Sequence, residues 1–177
     1  VSGSRTVARP EFREIAPFSF FDYEVNYAVN GNPELNRTSI LNGDVRYEFY
    51  PKAGEAITIG GFYKSFDDPI ELRLNPSSVL DRRNYEYTNA DEAYTVGAEL
   101  EFRKGLDFIS KSLENFNLFA NFTYSYSKVT LAGTSGTGGS VSANRPLQGQ
   151  SPYLINVGLQ YNSKEGGWNG SLLYNRI

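Results

Sequence analysis

Apolar residues recur at every second position in several separate stretches of the chain. Between residues 117 and 128, Leu118, Ala120, Phe122, Tyr124 and Tyr126 take one parity. Asn117, Asn121, Thr123, Ser125 and Ser127 take the other, and Phe119 is the single aromatic on the polar side. Successive side chains of a β-strand point to opposite faces, so this stretch predicts a strand with one apolar and one polar face. The same pattern returns in 44–50, where Val45, Tyr47 and Phe49 alternate with Asp44, Arg46 and Glu48. In 57–66, Ile57, Ile59, Gly61 and Tyr63 oppose Thr58, Gly60 and Lys64, with Phe62 a second aromatic on the polar side. In 94–103, Tyr94, Val96, Ala98, Leu100 and Phe102 oppose Thr95, Gly97, Glu99, Glu101 and Arg103. Tyr153, Ile155, Val157, Leu159 and Tyr161 oppose Asn156, Gly158, Gln160 and Asn162, and a last strand begins at Trp168 with Leu172 and Tyr174 on one face. Each stretch runs about ten residues, the length a tilted strand needs to cross a bilayer.

The connections alternate in length. Residues 51–56 and 163–167 read as short turns, and 105–115 as an intermediate link with room for one helical turn. Residues 74–92 are long and polar, 132–151 long and flexible, and 10–37 long and irregular. Loops long at one end and short at the other are the habit of outer-membrane barrels, whose periplasmic turns are the short ones. This orients 44–50 toward the periplasm and 57–66 back outward. Tyr47, Phe49, Tyr50, Tyr161 and Trp168 gather beside the short turns, as the aromatic girdle of a membrane interface would. The apolar faces include Gly61, Ala98, Ala120 and Gly170 at mid-strand. A second protein layer would leave gaps at such small residues, whereas fluid acyl chains fill any contour. The apolar faces are therefore expected to meet lipid, at Leu118, Phe122, Tyr124, Val157 and Leu159 among others.

Composition narrows the function classes. The chain has 177 residues, with 13 Tyr, 12 Phe and 17 Gly, the vocabulary of strands and turns. A net charge of -3 argues against a nucleic-acid partner, which would call for a basic face. No cysteine and no histidine are present, so disulfides, thiolate metal sites and Ser-His catalysis are excluded. No cofactor is implied. The mean hydropathy of -0.44 would suit a soluble protein, but half of every barrel strand faces a polar lumen, so that value does not decide. The expected fold is an all-β, antiparallel up-and-down transmembrane β-barrel, present as a fragment of about six to seven strands in one partial barrel domain over 1–177. So few strands cannot close a barrel, and open edges are not tolerated in hydrocarbon, so further strands are expected on both sides.

The stretches TVARPEFREIAPF, GNPEL, NGDVRYEFYP, GEAITIGGFYKSFDDPIE and RPLQGQSPYLINVGLQYNS, followed by GWNGSLLYNR, together resemble the C-terminal half of the barrel in TonB-dependent outer-membrane receptors of the type abundant in Bacteroidetes. The resemblance implies a barrel of about twenty-two strands plugged by an N-terminal domain. Such a receptor imports a scarce nutrient (a siderophore, haem, a glycan or similar) with energy delivered through TonB. Its partners would be the lipid bilayer, the rest of the barrel, the plug, the TonB complex through the plug, and a small-molecule or oligosaccharide substrate.

Several residue groups are candidates within that frame. Arg82, Arg83, Tyr85 and Tyr87 combine guanidinium forks with stacking surfaces suited to a sugar or an anionic chelate in an outer loop. Asp44, Arg46, Glu48, Glu99, Glu101 and Arg103 are placed by parity on the lumen side, where a plug would be met. Pro10 and Pro69 should end or bend strands at the outer rim, with Arg9, Glu11, Arg13 and Glu14 pairing locally. The glycine-rich 133–140 lacks the Lys-Ser/Thr ending and following helix of a phosphate loop. Asp67, Asp68, Asp81, Asp91 and Glu92 are acidic but lack EF-hand spacing, so solvated charge is the simpler reading. The competing class is a soluble all-β ligand- or carbohydrate-binding module, which would bury the same apolar faces in a core of its own.

Overall fold

In the computed structural model, the described residues are 1–23, 26–74, 84–130, 144–163 and 166–177. The predicted alternating stretches all form strands: β4 (Thr38–Phe49), β5 (Ala56–Asp67), β8 (Glu92–Gly105), β9 (Phe116–Thr130), β11 (Tyr153–Asn162) and β12 (Asn169–Arg176). They lie side by side with β1 (Ser2–Ala8) in the order β1-β4-β5-β8-β9-β11-β12, and the two-residue β10 (Asn144–Arg145) adds to β9. Every pairing in this wall is antiparallel. The fold class is that of a strand-rich barrel segment, and the sheet is open, since β1 and β12 each pair on one side only.

Register decides which residues share a face. One lateral row runs Tyr47–Ile59–Leu100–Phe122–Ile155, and a neighbouring one runs Phe49–Ile57–Phe102–Ala120–Val157–Tyr174. Among the described residues nothing covers these rows: Tyr47 is 66% exposed, Ile59 55%, Leu100 45% and Phe122 43%. The described residues bury very little apolar surface on this side. A soluble sandwich would have sealed these rings and branched chains against a second layer.

The two aromatics of the wrong parity have a steric explanation. Phe62 pairs with Gly97 and Phe119 with Gly158, on the next strand in each case. A Cβ built on either glycine would collide with the facing ring. Each phenyl group thus lies over backbone that carries no side chain, which lets an aromatic occupy the polar face without projecting from it.

The long connections hold more structure than the sequence pattern suggests. Residues 10–37 are not irregular throughout: they contain the helical turn α1 (Phe12–Ile15) and strands β2 (Ser19–Asp22) and β3 (Tyr27–Asn30). With β6 (Ile70–Leu74) and β7 (Asn84–Asn89) these form a second, outer sheet ordered β2-β3-β7-β6, in which β3 and β7 run parallel. Val29 pairs with Tyr85 far along the chain, a contact to which local periodicity is blind. The link 105–115 holds two 3₁₀ turns, Leu106–Phe108 and Lys111–Leu113, in place of one helical turn. Pro10 follows the end of β1 and Pro69 stands between β5 and β6, as expected for the rim. The local ion pairs expected of Arg9, Glu11, Arg13 and Glu14 are not formed among the described residues. Instead the Glu14 carboxylate accepts from the Glu11 backbone N–H at 2.8 Å, and the Arg13 guanidinium lies 5.1 Å from the Phe20 ring centre. Glu14 serves the orphan N–H at the start of the helical turn, and Arg13 reaches the aromatic face of the outer sheet.

The wall and the outer sheet meet at a corner. Asp68 adopts φ 54°, a left-handed conformation that Asp tolerates, and Pro69 follows. The Asp68 carbonyl accepts from Thr38 Oγ1 at 2.9 Å and from Asn89 Nδ2 at 2.7 Å. A small apolar cluster of Ala90, Ala93 and Val129, with Phe66 and Leu147 against it, sits at this same end of the wall.

Candidate functional site: the polar face of the wall

The polar parity of β4, β5, β8, β9 and β11 forms a concave face with a cavity of about 500 Å³, lined among others by Asp44, Arg46, Glu99, Glu101, Asn121 and Asn156. Long, regular strands aim these side chains. Arg46 is level with Gly60 and Glu99, one row from Glu48, Thr58, Glu101, Asn121 and Asn156. Gly60 leaves room in front of the guanidinium, whose Nε lies 2.6 Å from Glu48 Oε1 and whose NH2 lies 3.7 Å from Glu101 Oε2. The Tyr50 hydroxyl donates to the other Glu48 oxygen, and Ser2 Oγ donates to Asp44 at 3.3 Å. These pairs are about half exposed, so each contributes little stability; what they do is orient charge.

The structure therefore brings five of the six lumen-side candidates together: Asp44, Arg46, Glu48, Glu99 and Glu101. Arg103 shares their face one row nearer the short turns, level with Ala56 and Phe119. Among the described side chains lining the cavity, the carboxylates of Asp44, Glu99 and Glu101 outnumber the guanidinium of Arg46, while Lys64 and Arg103 share the wider polar face. Such an array can hold a cationic or hydrogen-bonding surface.

The outer-loop candidates are less gathered. Arg82 and Arg83 lie outside the described residues, as do Asp81 and all of 133–140. Tyr85 and Tyr87 stand on one face of β7, both half-buried. The Tyr85 ring is 4.3 Å from that of Tyr27, and the Tyr87 carbonyl accepts from Asn32 Nδ2 at 3.0 Å. Burial pushes the Tyr87 phenol above its ordinary pKa, with the Arg13 charge opposing. Among the described residues, no group of three or more acidic side chains is placed to hold a metal ion. Leu118, Phe122, Tyr124, Val157 and Leu159 all occupy the opposite, apolar face, paired with Leu159, Ile155, Tyr153, Ala120 and Leu118 in turn.

One group was not foreseen. The expectation of a flexible loop over 132–151 fails for 144–151, which lies folded on the polar face. Leu147 N–H donates to Ser127 Oγ at 3.0 Å, and Gln150 sits between Ser125 and Thr95, donating to the Ser125 hydroxyl. Ser125, Ser127 and Thr95 are consequently buried. Two glutamines between prolines in Pro146–Pro152 were the available signal: residues able to bond a wall in a segment unable to become a central strand.

The profile of the family described as "TonB dependent receptor-like, beta-barrel" matches residues 1–177. The chain belongs to the TonB-dependent receptor β-barrel family. Among solved structures, this barrel segment resembles the siderophore receptor PirA from Pseudomonas aeruginosa, with a TM-score of 0.64 at 15% identity over 98% of this chain and 30% of that one. It also resembles a mutant of the ferric enterobactin receptor PfeA from Pseudomonas aeruginosa in complex with enterobactin (TM-score 0.60, 16% identity, 92% of this chain and 23% of that one). PirA from Acinetobacter baumannii gives 0.53 at 15% identity over 90% of this chain and 24% of that one. No curated protein matches the sequence. At such identities the likeness concerns the fold, and the segment spans less than a third of each of these receptors. The family and its structural neighbours are receptors, and barrels of this family are outer-membrane proteins of Gram-negative bacteria.

Proposed function

We propose that the chain is part of the barrel wall, from its C-terminal half, of an outer-membrane receptor of Bacteroidetes type that imports a scarce nutrient by TonB-driven gating. The observation that carries this is the division of the wall into two faces. The rows through Tyr47, Ile59, Leu100 and Phe122 are uncovered and apolar, while the opposite face is polar, charged and concave. Hydrocarbon makes the first face favourable, and a filled lumen suits the second. In this reading Leu118, Phe122, Tyr124, Val157 and Leu159 contact lipid. Asp44, Glu48, Glu99 and Glu101 present their carboxylates to a basic surface of a plug domain, with Arg46 and Arg103 setting register. The plug in turn contacts TonB. A siderophore is the favoured cargo class, because the receptors of similar fold named above bind or are described for siderophores. The soluble-module alternative would need a further layer, beyond the described residues, to cover those apolar rows.

The test uses the full-length protein that contains this chain. It should enter solution from the envelope fraction only with detergent, and deleting its gene should lower uptake of radiolabelled ferric siderophores under iron limitation. A full-length protein soluble in buffer alone would overturn the membrane reading. Unchanged siderophore uptake with impaired growth on an oligosaccharide would replace the cargo and keep the wall.

A further inference from the structure

We propose that residues 145–152 form an internal strap that anchors the outer sheet to the polar face, and that parting Arg145 from Glu71 is the step that lets this sheet move relative to the wall. The strap rests on the reading of the polar face as a barrel lumen, but it stands on its own contacts. On the wall side it is held firmly. Ser125 N–H donates to the Pro152 carbonyl at 2.9 Å, Leu147 N–H donates to Ser127 Oγ, and Leu147 packs on the Ala90, Ala93 and Val129 cluster. On the sheet side, among the described residues, it is held by two side chains. Arg145 NH2 lies 2.7 Å from Glu71 Oε2, and Gln148 Nε2 donates to the Leu72 carbonyl at 2.8 Å.

The sheet has few other holds. Among the described residues, no strand of the outer sheet packs along a strand of the wall. Its remaining links lie at the corner, where Asn89 bonds Asp68 and Asn36, and Ala90 N–H donates to the Pro69 carbonyl. A body fixed at one corner and tied by two side chains at another point can turn about the corner when the ties part. Glu71 is almost wholly buried beneath Arg145, so the tie is a desolvated, charge-assisted bond that a competing group at Arg145 would cancel as a unit. The tie itself stands at the far end of β9, where Arg145 is level with Val129, while the other end of the strap bonds Ser125, whose row includes Phe62 of the polar cavity.

Hydrogen exchange on the full-length receptor in detergent, without ligand, reads this directly. Arg145→Ala combined with Gln148→Ala should speed amide exchange in 70–74 and 84–89 by about tenfold or more while 96–102 and 118–124 keep their protection. The charge swap Arg145→Glu with Glu71→Arg should restore slow exchange. Exchange unaltered in the outer sheet, or raised equally in the wall, would overturn the proposal. Should the alanine variant fail to assemble, Arg145→Lys with Gln148 kept supplies a milder loosening: exchange in 70–74 should rise severalfold while 118–124 keep their protection, and equal rates would overturn the strap. Neither measurement involves cargo, so a failed strap is distinguishable from a failed assignment as an importer.

Discussion

Replacing Phe122 with Arg, and separately Asn121 with Arg, sets two adjacent residues of β9 against each other. Both lie near the middle of a strand that runs from Phe116 to Thr130. Phe122 stands between Leu100 and Ile155 on the apolar face; Asn121 stands between Glu101 and Asn156 on the polar one. An arginine on the lipid face near the bilayer midplane costs about 2–4 kcal/mol. The lost phenyl group removes up to about 2 kcal/mol of favourable transfer out of water. Together the Phe122→Arg change should destabilise the inserted barrel by about 2–6 kcal/mol. Asn121→Arg places the same side chain beside the Glu101 carboxylate in a wet, half-exposed setting, so its effect should stay within about 1 kcal/mol. The assay is refolding of the full-length receptor into phospholipid vesicles across a urea series, scored by the heat-modifiable gel mobility of the folded barrel. Equal costs at the two positions, or a larger one at Asn121, would refute the assignment of faces and with it the membrane reading.

Two further outcomes follow from contacts described above. Gly97→Val and Gly158→Val should each destabilise the barrel by about 1–3 kcal/mol by displacing the Phe62 or Phe119 ring, whereas Gly61→Ala, whose added Cβ would meet nothing closer than 3.7 Å, should be near neutral; thermal loss of the folded gel band separates the two cases. Lys104→Met leaves the buried Glu55 carboxylate without the ammonium group 3.5 Å away, and should cost about 1–3 kcal/mol in the urea series, with Lys104→Arg largely retaining stability.

The wall was legible because a single local rule governs it. Parity in 94–103 or 117–126 is a property of one strand, so no knowledge of distant residues is needed to put Leu100 on the apolar face and Glu101 on the polar one. The same rule groups Asp44, Arg46, Glu48, Glu99 and Glu101 before any register is known. What escaped detection depends on remote partners. Strand β1 has a polar sequence with no clean alternation and owes its place to ladder bonds with β4. The strands of the outer sheet are four to six residues long, and β3 finds β7 across more than fifty positions. The strap's two glutamines and Arg145 acquire meaning only beside Ser125, Leu72 and Glu71.

Phe62 with Gly97, and Phe119 with Gly158, also constrain how this wall can change over time. A bulkier residue at either glycine has nowhere to go while its ring remains, and a smaller residue in place of either ring uncovers bare peptide on the polar side. Phe119 and Gly158 can drift only by two coordinated substitutions and should co-vary as a linked couple in descendants of this sequence, whereas Gly97, which also lies against the Tyr124 carbonyl, should stay glycine whatever replaces Phe62.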